Sequence, residues 1–183
     1  MSAPGLVAFA SRDGHAAAIA ARLAAGIGDA ETHDLAGGPE PADRLRTAPF
    51  AVLVAAVRYG KHLPAAERFL AAHKGLAAPP PLALVSVNLT ARKPEKSTPA
   101  TNPYLKKLTA RHGLEPAHQA VFAGKLDYPR YRWLDRQMIR LIMALTGGPT
   151  DPTTVVDYTD WAAVDAFAIE LRAALASPAS ASG

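Results

Sequence analysis

Leu6-Val7-Ala8-Phe9, running on into Ala10-Ser11-Arg12-Asp13-Gly14-His15, is the stretch on which the fold turns. A short apolar run enters a tight polar turn, and an alanine-rich helical pattern, Ala16 to Ala25, leaves it. Strand, turn and helix N-terminus in that order build an anion site. The first amides of a helix have no intrahelical partner, and the dipole adds partial positive charge there. Ser11 offers a hydroxyl, Arg12 a guanidinium, and Gly14 lets the backbone come close to a ligand. Asp13 is repelled by a phosphate and is expected to bond its own backbone as a turn cap. There is no G-x-G-x-x-G and no G-x-x-x-x-G-K-[ST], so neither dinucleotide nor P-loop chemistry is implied. An ordinary strand-to-helix turn with a capped helix has the same layout.

Working outward, the first helix is expected from about His15 to Ala25, ended by Gly26 and Gly28. Ala30 to Leu35 is a strand candidate, and Gly37 to Pro41 a loop. Phe50 to Ala56 and Leu82 to Val87 are continuous apolar runs, as in parallel strands covered on both faces. The first delivers Val57-Arg58-Tyr59-Gly60-Lys61-His62 at its carboxyl end, the second Asn88-Leu89-Thr90-Ala91. Pro64 opens a helix to about His73, and Asn102-Pro103 caps another to about His112. His118 to Ala123 is a strand, Gly124 to Pro129 a turn, Tyr131 to Leu145 a helix closed by Gly147-Gly148-Pro149, and Thr154 to Tyr158 a short strand. Asp160 caps a last helix, Trp161 to Ala176, and Ser177 to Gly183 reads as a disordered tail. Strands alternating with helices predict one α/β domain over 1–176, with an open parallel sheet and right-handed crossovers. Ligands of such sheets sit at the carboxyl ends of the strands, where the strand order reverses. The three informative loops all lie there. One phosphate-type loop and two loops with an aromatic and amides suit a flat ring with a phosphate tail, and FMN is the economical choice.

The chain has 183 residues, about half of them apolar, and a net charge of +4, which favours an anionic partner. It has no cysteine, so disulfides, thiolate nucleophiles and Cys-ligated metals are excluded. The six histidines show no metal-ligand spacing, and no metal is assigned. Nothing after Met1 reads as a secretory signal, and no apolar stretch approaches the ~20 residues of a membrane span. In the Tyr131–Leu145 helix, at about 100° per residue, Arg132, Arg136 and Arg140 form one stripe. Leu134, Met138, Leu141, Ile142 and Leu145 fall together well away from it, with Tyr131 and Trp133 at the helix entrance. Three readings fit: a core helix with a solvated arginine stripe, an interfacial helix on anionic lipid, or an RNA-binding basic-aromatic patch. No nucleic-acid fold signature supports the third.

Five segments resemble the flavodoxin-like, quinone-dependent protoporphyrinogen oxidases of haem biosynthesis. They are Ser11–Gly14, Arg58–Gly60, Ser86–Lys96, Tyr128–Trp133 and Tyr158–Trp161, and the likeness spans nearly the whole chain. The resemblance implies a flavodoxin-like three-layer sandwich with strand order 2-1-3-4-5 and bound FMN. A basic-aromatic helical insertion, about 124–153, would split the last strand. It further implies oxidation of protoporphyrinogen IX to protoporphyrin IX, with menaquinone or ubiquinone as acceptor. The chain would sit peripherally at the cytoplasmic face of the inner membrane. FMN would be held by Ser11, Arg12, Asp13, Gly14, His15, Val57, Arg58, Tyr59, Gly60, Ser86, Val87, Asn88, Leu89 and Thr90, with Tyr59 stacking on the ring and Asn88 offering its amides to the pyrimidine edge. Arg58, Lys61, Arg92, Lys93 and Lys96 would form a mobile basic rim that orients the two propionates; a plain solvated loop is the alternative for Arg92–Lys96. Given a lipid-soluble acceptor, Tyr131, Arg132, Trp133, Arg136 and Arg140 would touch anionic membrane.

Two positions depart from the family pattern. Hydroxyl residues are expected at both ends of the phosphate loop, and here Ala10 and Ala16 stand there. Each hydrogen bond lost to a charged phosphate costs ~1.5–3 kcal/mol, so FMN affinity should be weakened, with His15 either compensating or exposed at the helix start. No side chain stands out as a base; Asp13, His62 and His15 are the candidates, with water as the substitute. Redox chemistry would belong to the flavin. Homo-oligomerisation is compatible with all of this. The rivals are a flavodoxin-type electron carrier, against which the basic charge counts, and a cofactor-free interaction module.

Overall fold

The computed structural model describes residues 3–37 and 41–176. The tail expected at 177–183 lies outside the described residues, as does part of the loop over 37–41. Strands β1 (Gly5–Ala10), β2 (Ala30–Asp34) and β3 (Ala51–Arg58) are parallel, and the short β4 (Lys61–His62) folds back antiparallel on the end of β3. With β5 (Leu82–Val87) and β6 (His118–Phe122) the sheet order is β2-β1-β3-β5-β6. With the β4 arm set aside, this is the expected 2-1-3-4-5 arrangement. Its direction reverses between β1 and β3, and the crevice at their carboxyl ends is where such a sheet takes a ligand.

Both faces of the central strands are apolar because both are covered. Val7, Val52, Val54 and Val85 face α1 (His15–Ile27) and α6 (Trp161–Ala176). Leu6, Ala8, Leu53 and Leu84 face α2 (Ala42–Thr47), α3 (Pro64–Lys74) and α4 (Pro103–His112). The capping expectation for α4 holds: Asn102 Oδ1 accepts from the amides of Tyr104 and Leu105. The first helix does not end at Gly26. A Cβ there would lie 2.6 Å from Ala168 Cβ, so this glycine is a packing residue that lets α6 press against α1. The helix ends at Gly28, at φ 100.

The insertion stands apart from the sheet. The turn expected over Gly124–Pro129 contains β7 (Lys125–Asp127), which pairs antiparallel with β8 (Val155–Asp157) in a separate ribbon. Sheet strand β6 is therefore continuous, and the last strand is not split within the sheet. Between the ribbon strands lie a 3-10 turn (Tyr128–Arg130) and α5 (Trp133–Thr146), closed over their own small core of Leu126, Tyr128, Tyr131, Ile139 and Met143.

Candidate active site

At the phosphate-type turn, Ser11 Oγ accepts from Gly14 N–H at 3.1 Å, so Ser11 is the cap and Asp13 is not. Gly14 is the left-handed N-cap of α1 at φ 84, and nothing lies within 4 Å of where its Cβ would be. The first intrahelical bond runs from Ala18 to Gly14, so the amides of His15, Ala16 and Ala17 precede it. Ala10 and Ala16 are buried, one in each core layer, and Ala16 also lines the cleft. His15 is neither exposed nor free. Its Nε2 lies 2.6 Å from Thr159 Oγ1, and Trp161 packs edge-on at 5.7 Å. Thr159 already donates to Ala123 O, so His15 Nε2–H is the donor. Burial lowers its pKa, partly offset by Asp157. The imidazole is neutral and props α1 against the insertion stem.

Asp13 reaches across the turn to Arg58 Nη1 at 2.5 Å. The Arg58 guanidinium also lies 3.2 Å from Asp135 Oδ2 and stacks 5.1 Å from the Tyr131 ring centre and 5.5 Å from that of Tyr59. Asp135, in the first turn of α5, accepts from the Tyr59 hydroxyl and lies 3.9 Å from Arg12. One acid thus ties the insertion to two sheet loops. Tyr59 and Gly60 form a two-residue hairpin turn at φ 51 and 75. A tyrosine in that left-handed conformation stores about 1 kcal/mol or more of backbone strain, tolerated at sites where a side chain must be aimed. Tyr59 is half exposed at the cleft rim.

The third loop is more rigid than its composition suggests. Residues 88–102 fold into two 3-10 turns, Leu89–Arg92 and Pro94–Lys96. Asn88 is buried and structural: its Oδ1 accepts from Ala91 N and Asn102 Nδ2, and its Nδ2 donates to Ser86 Oγ. The side chain placed at the ring edge is spent on the loop itself. Arg92 donates to Leu89 O, Thr146 O and Thr146 Oγ1, stitching this loop to α5. Within the basic rim that was expected to be mobile, Arg92 is therefore held in place.

The three loops and the insertion enclose one cleft. Of the expected cofactor residues, Ser11, Arg12, Asp13, His15, Val57, Arg58, Tyr59, Gly60, Val87, Asn88, Leu89 and Thr90 line it. Gly14 sits behind as the helix cap, and Ser86 is fully buried against His62 and Asn88. Of the expected substrate cations, Arg58 and Arg92 line the cleft, whereas Lys61, Lys93 and Lys96 do not. Arg12, Lys125 and Arg130 do. His62 is withdrawn as a base: it is buried, and desolvation pushes its pKa down to about 4. Sequence reading also missed Asp135, Ile139, Ile142 and Met143, which wall the cleft from α5 or lock that wall. A lone acid in the first turn of a helix otherwise carrying arginines was the available signal for Asp135.

Helix α5 turns Arg136 and Arg140 onto the insertion's own backbone and its apolar arc outward. Arg136 donates to the carbonyls of Tyr128 and Tyr131, and Arg140 to that of Thr150. Trp133, Leu134, Met138, Leu141, Ile142 and Leu145 are exposed by 38–79%. The expectation that Arg136 and Arg140 face an outer surface is corrected: their charges satisfy carbonyls freed by the irregular 128–131 and 147–154 segments. Arg132 and Trp133 remain exposed, whereas Tyr131, also expected at the membrane, is buried in the insertion's core.

The residues fit an anion and a flat ring. Helix-start amides face open space beside Gly14, and buried Arg58 Nε has no partner in a cleft that sets the Tyr59 and Tyr131 rings and the apolar side chains of Leu89, Ile139 and Met143 beside several cations. A family model described as a flavodoxin domain matches residues 6–153, which implies a flavin cofactor. The chain is similar to a flavodoxin of Streptococcus pneumonia TIGR4, with a TM-score of 0.54 at 17% identity, over 93% of this chain and 98% of that one. It is 41% identical over 174 residues to the protoporphyrinogen IX dehydrogenase (quinone) of Escherichia coli (strain K12), covering 91% of this chain and 93% of the relative. It is 44% identical over 122 residues to the protein of the same name in Leishmania major, covering 67% of this chain and 53% of that protein. With its sheet order, its cleft and its near full-length likeness to these relatives, the chain belongs to the flavodoxin-domain family and, within it, to the quinone-linked protoporphyrinogen IX dehydrogenases.

Proposed function

We propose that the chain oxidises protoporphyrinogen IX to protoporphyrin IX with FMN as cofactor and a membrane quinone as acceptor. The carrying observation is the cleft at the β1/β3 switch point, walled by an insertion whose outer helix face is apolar, in a chain so similar to dehydrogenases of that name. The amides of His15 to Ala17 and the Ser11–Gly14 turn would hold the phosphate. Tyr59 and the backbone of Leu89 and Thr90 would flank the ring. FMN, when bound, supplies the two-electron chemistry; three such rounds convert the porphyrinogen to the aromatic porphyrin, and quinone removes the electrons after each. The chain's own part is to bind, orient and shield. Asp13 is neutralised by Arg58, His15 is a neutral donor to Thr159, and His62 is out of reach, so protons leave through water.

Among the described residues no helix is long and apolar enough to cross a membrane. The exposed stripe of α5 instead suits shallow insertion into lipid, with Arg132 and Trp133 at the headgroup level. Ile142 belongs both to that stripe and to the cleft lining, so a lipid-soluble acceptor entering from the bilayer would meet the cleft edge. The exposed apolar stripe supports a peripheral position on the membrane, on our reading at its cytoplasmic face. The test is anaerobic incubation of the FMN-supplied protein with protoporphyrinogen IX and a short-chain quinone, followed by porphyrin fluorescence. Flavin reduction without porphyrin formation would point to the electron-carrier reading instead.

A further inference from the structure

Asp135 is the one acid on α5, and its carboxylate lies between two arginines that come from different sheet loops. Arg58 is held from behind by Asp13 on Nη1, meets Asp135 through Nη2, and keeps a buried Nε with no partner. Arg12 is half exposed, and its contact with Asp135 is loose at 3.9 Å. Both arginines line the cleft, as does the Tyr59 ring whose hydroxyl also donates to Asp135. The group that these donors surround is a carboxylate on a flexible stem, which is also the polar chemistry of a porphyrinogen propionate.

We propose that Arg12 and Arg58 form the carboxylate-receiving end of the substrate cleft, and that Asp135 occupies it as an internal carboxylate which a substrate propionate displaces. The proposal rests on the substrate reading given above. The exchange is balanced in charge: one carboxylate leaves the arginine pair and another enters, while Asp13 keeps Arg58 in place. Asp135 is also the tie between α5 and the Tyr59 hairpin, so its release frees the end of the helix that carries Ile139, Ile142 and Met143 along the cleft wall. Carboxylate recognition and admission of the macrocycle are thereby coupled. An internal ligand that fills the site for nine-tenths of the time weakens apparent affinity about tenfold, and its removal restores that factor.

The test measures equilibrium binding of mesoporphyrin IX, a redox-stable dicarboxylate, and of its dimethyl ester to the FMN-supplied protein by tryptophan fluorescence. Parent, Asp135→Asn, Asp135→Glu and Arg12→Gln are compared, with FMN affinity measured for each. Asp135→Asn should bind the diacid roughly tenfold more tightly and the ester as the parent does. Asp135→Glu, which restores a carboxylate, should return towards the parent value, and Arg12→Gln, compared at saturating FMN, should weaken the diacid but not the ester. Equal diacid affinity in parent and Asp135→Asn, equal tightening of the ester, or tightening of FMN instead of the porphyrin would each overturn the latch. Failure of any porphyrin to bind the parent would overturn it together with the substrate reading, and is distinct from those results.

Discussion

Replacing Leu134, Leu141 and Leu145 together with glutamine tests whether α5 meets lipid through its apolar arc. These side chains are 70%, 56% and 79% exposed, so the folded protein gains little from them. Complete removal of a leucine side chain from water is worth ~1.5–3 kcal/mol, so at these exposures each contributes about 1–2 kcal/mol to lipid insertion. The three sum to about 4 kcal/mol, or roughly a thousandfold in vesicle partitioning. None of them lines the cleft, and exposed substitutions shift stability by only ~0.5 kcal/mol each, so FMN binding and the unfolding midpoint should stay near the parent values. Co-sedimentation with vesicles of anionic and of zwitterionic lipid reads the effect. The parent should pellet with both and keep most of its binding in about 0.5 M salt, where surface charges are screened within a few ångströms. Retention of the triple variant on vesicles at the parent level would refute the apolar docking face, as would complete salt release of the parent. Removing Arg136 and Arg140 is the poorer test, because their guanidinium groups bind the insertion's own carbonyls.

The buried His62 gives a pH signature. Its pKa is about 4 in the fold, because burial outweighs the raising effect of Glu67, against 6.5 when unfolded. Between those values the unfolded chain binds a proton that the native site refuses. The stabilising contribution is therefore complete above pH 6.5 and is lost as pH falls towards 4, by about 3 kcal/mol in all. Urea unfolding from pH 7.5 to 4.5 should show a shallower decline for His62→Gln than for the parent; parallel declines would contradict this. Gly26→Ala should cost about 1–3 kcal/mol, since the new methyl meets Ala168 at 2.6 Å, and an unchanged urea midpoint would contradict the close α1–α6 packing.

The sheet was legible because its signal is local. Leu82–Val87 and the Asn102-Pro103 start of α4 are found where the apolar run and the cap place them. The phosphate-type turn was legible for the same reason, through strand, polar turn and glycine. Side-chain partners across loops were not. Asp13 looked like a local cap because its partner, Arg58, lies 45 residues away. Asn88 looked like a ring contact because nothing local shows that Asn102 consumes it. Helix α5 shows the limit most clearly. Its periodicity separates arginines from leucines but does not say which side faces protein. The irregular segments around it needed donors for their carbonyls, so the guanidinium groups turned in and the wide apolar arc turned out. Ala10 and Ala16 follow the same logic: read as lost phosphate ligands, they are also residues of the two core layers.

A flavin-dependent porphyrinogen dehydrogenase of this kind would work through the Ser11–His15 turn and the Tyr59 and Asn88 loops. The most direct measurement is titration of the apoprotein with FMN by flavin fluorescence, followed on the same sample by anaerobic protoporphyrinogen IX and quinone. Saturable quenching is expected in the parent, loss of quenching in Gly14→Asp, where a carboxylate would stand in the open space before the helix amides, and quinone-dependent appearance of porphyrin fluorescence only in the sample that binds FMN. Unquenched flavin with the parent, or porphyrin formation at the same rate in Gly14→Asp, would contradict it.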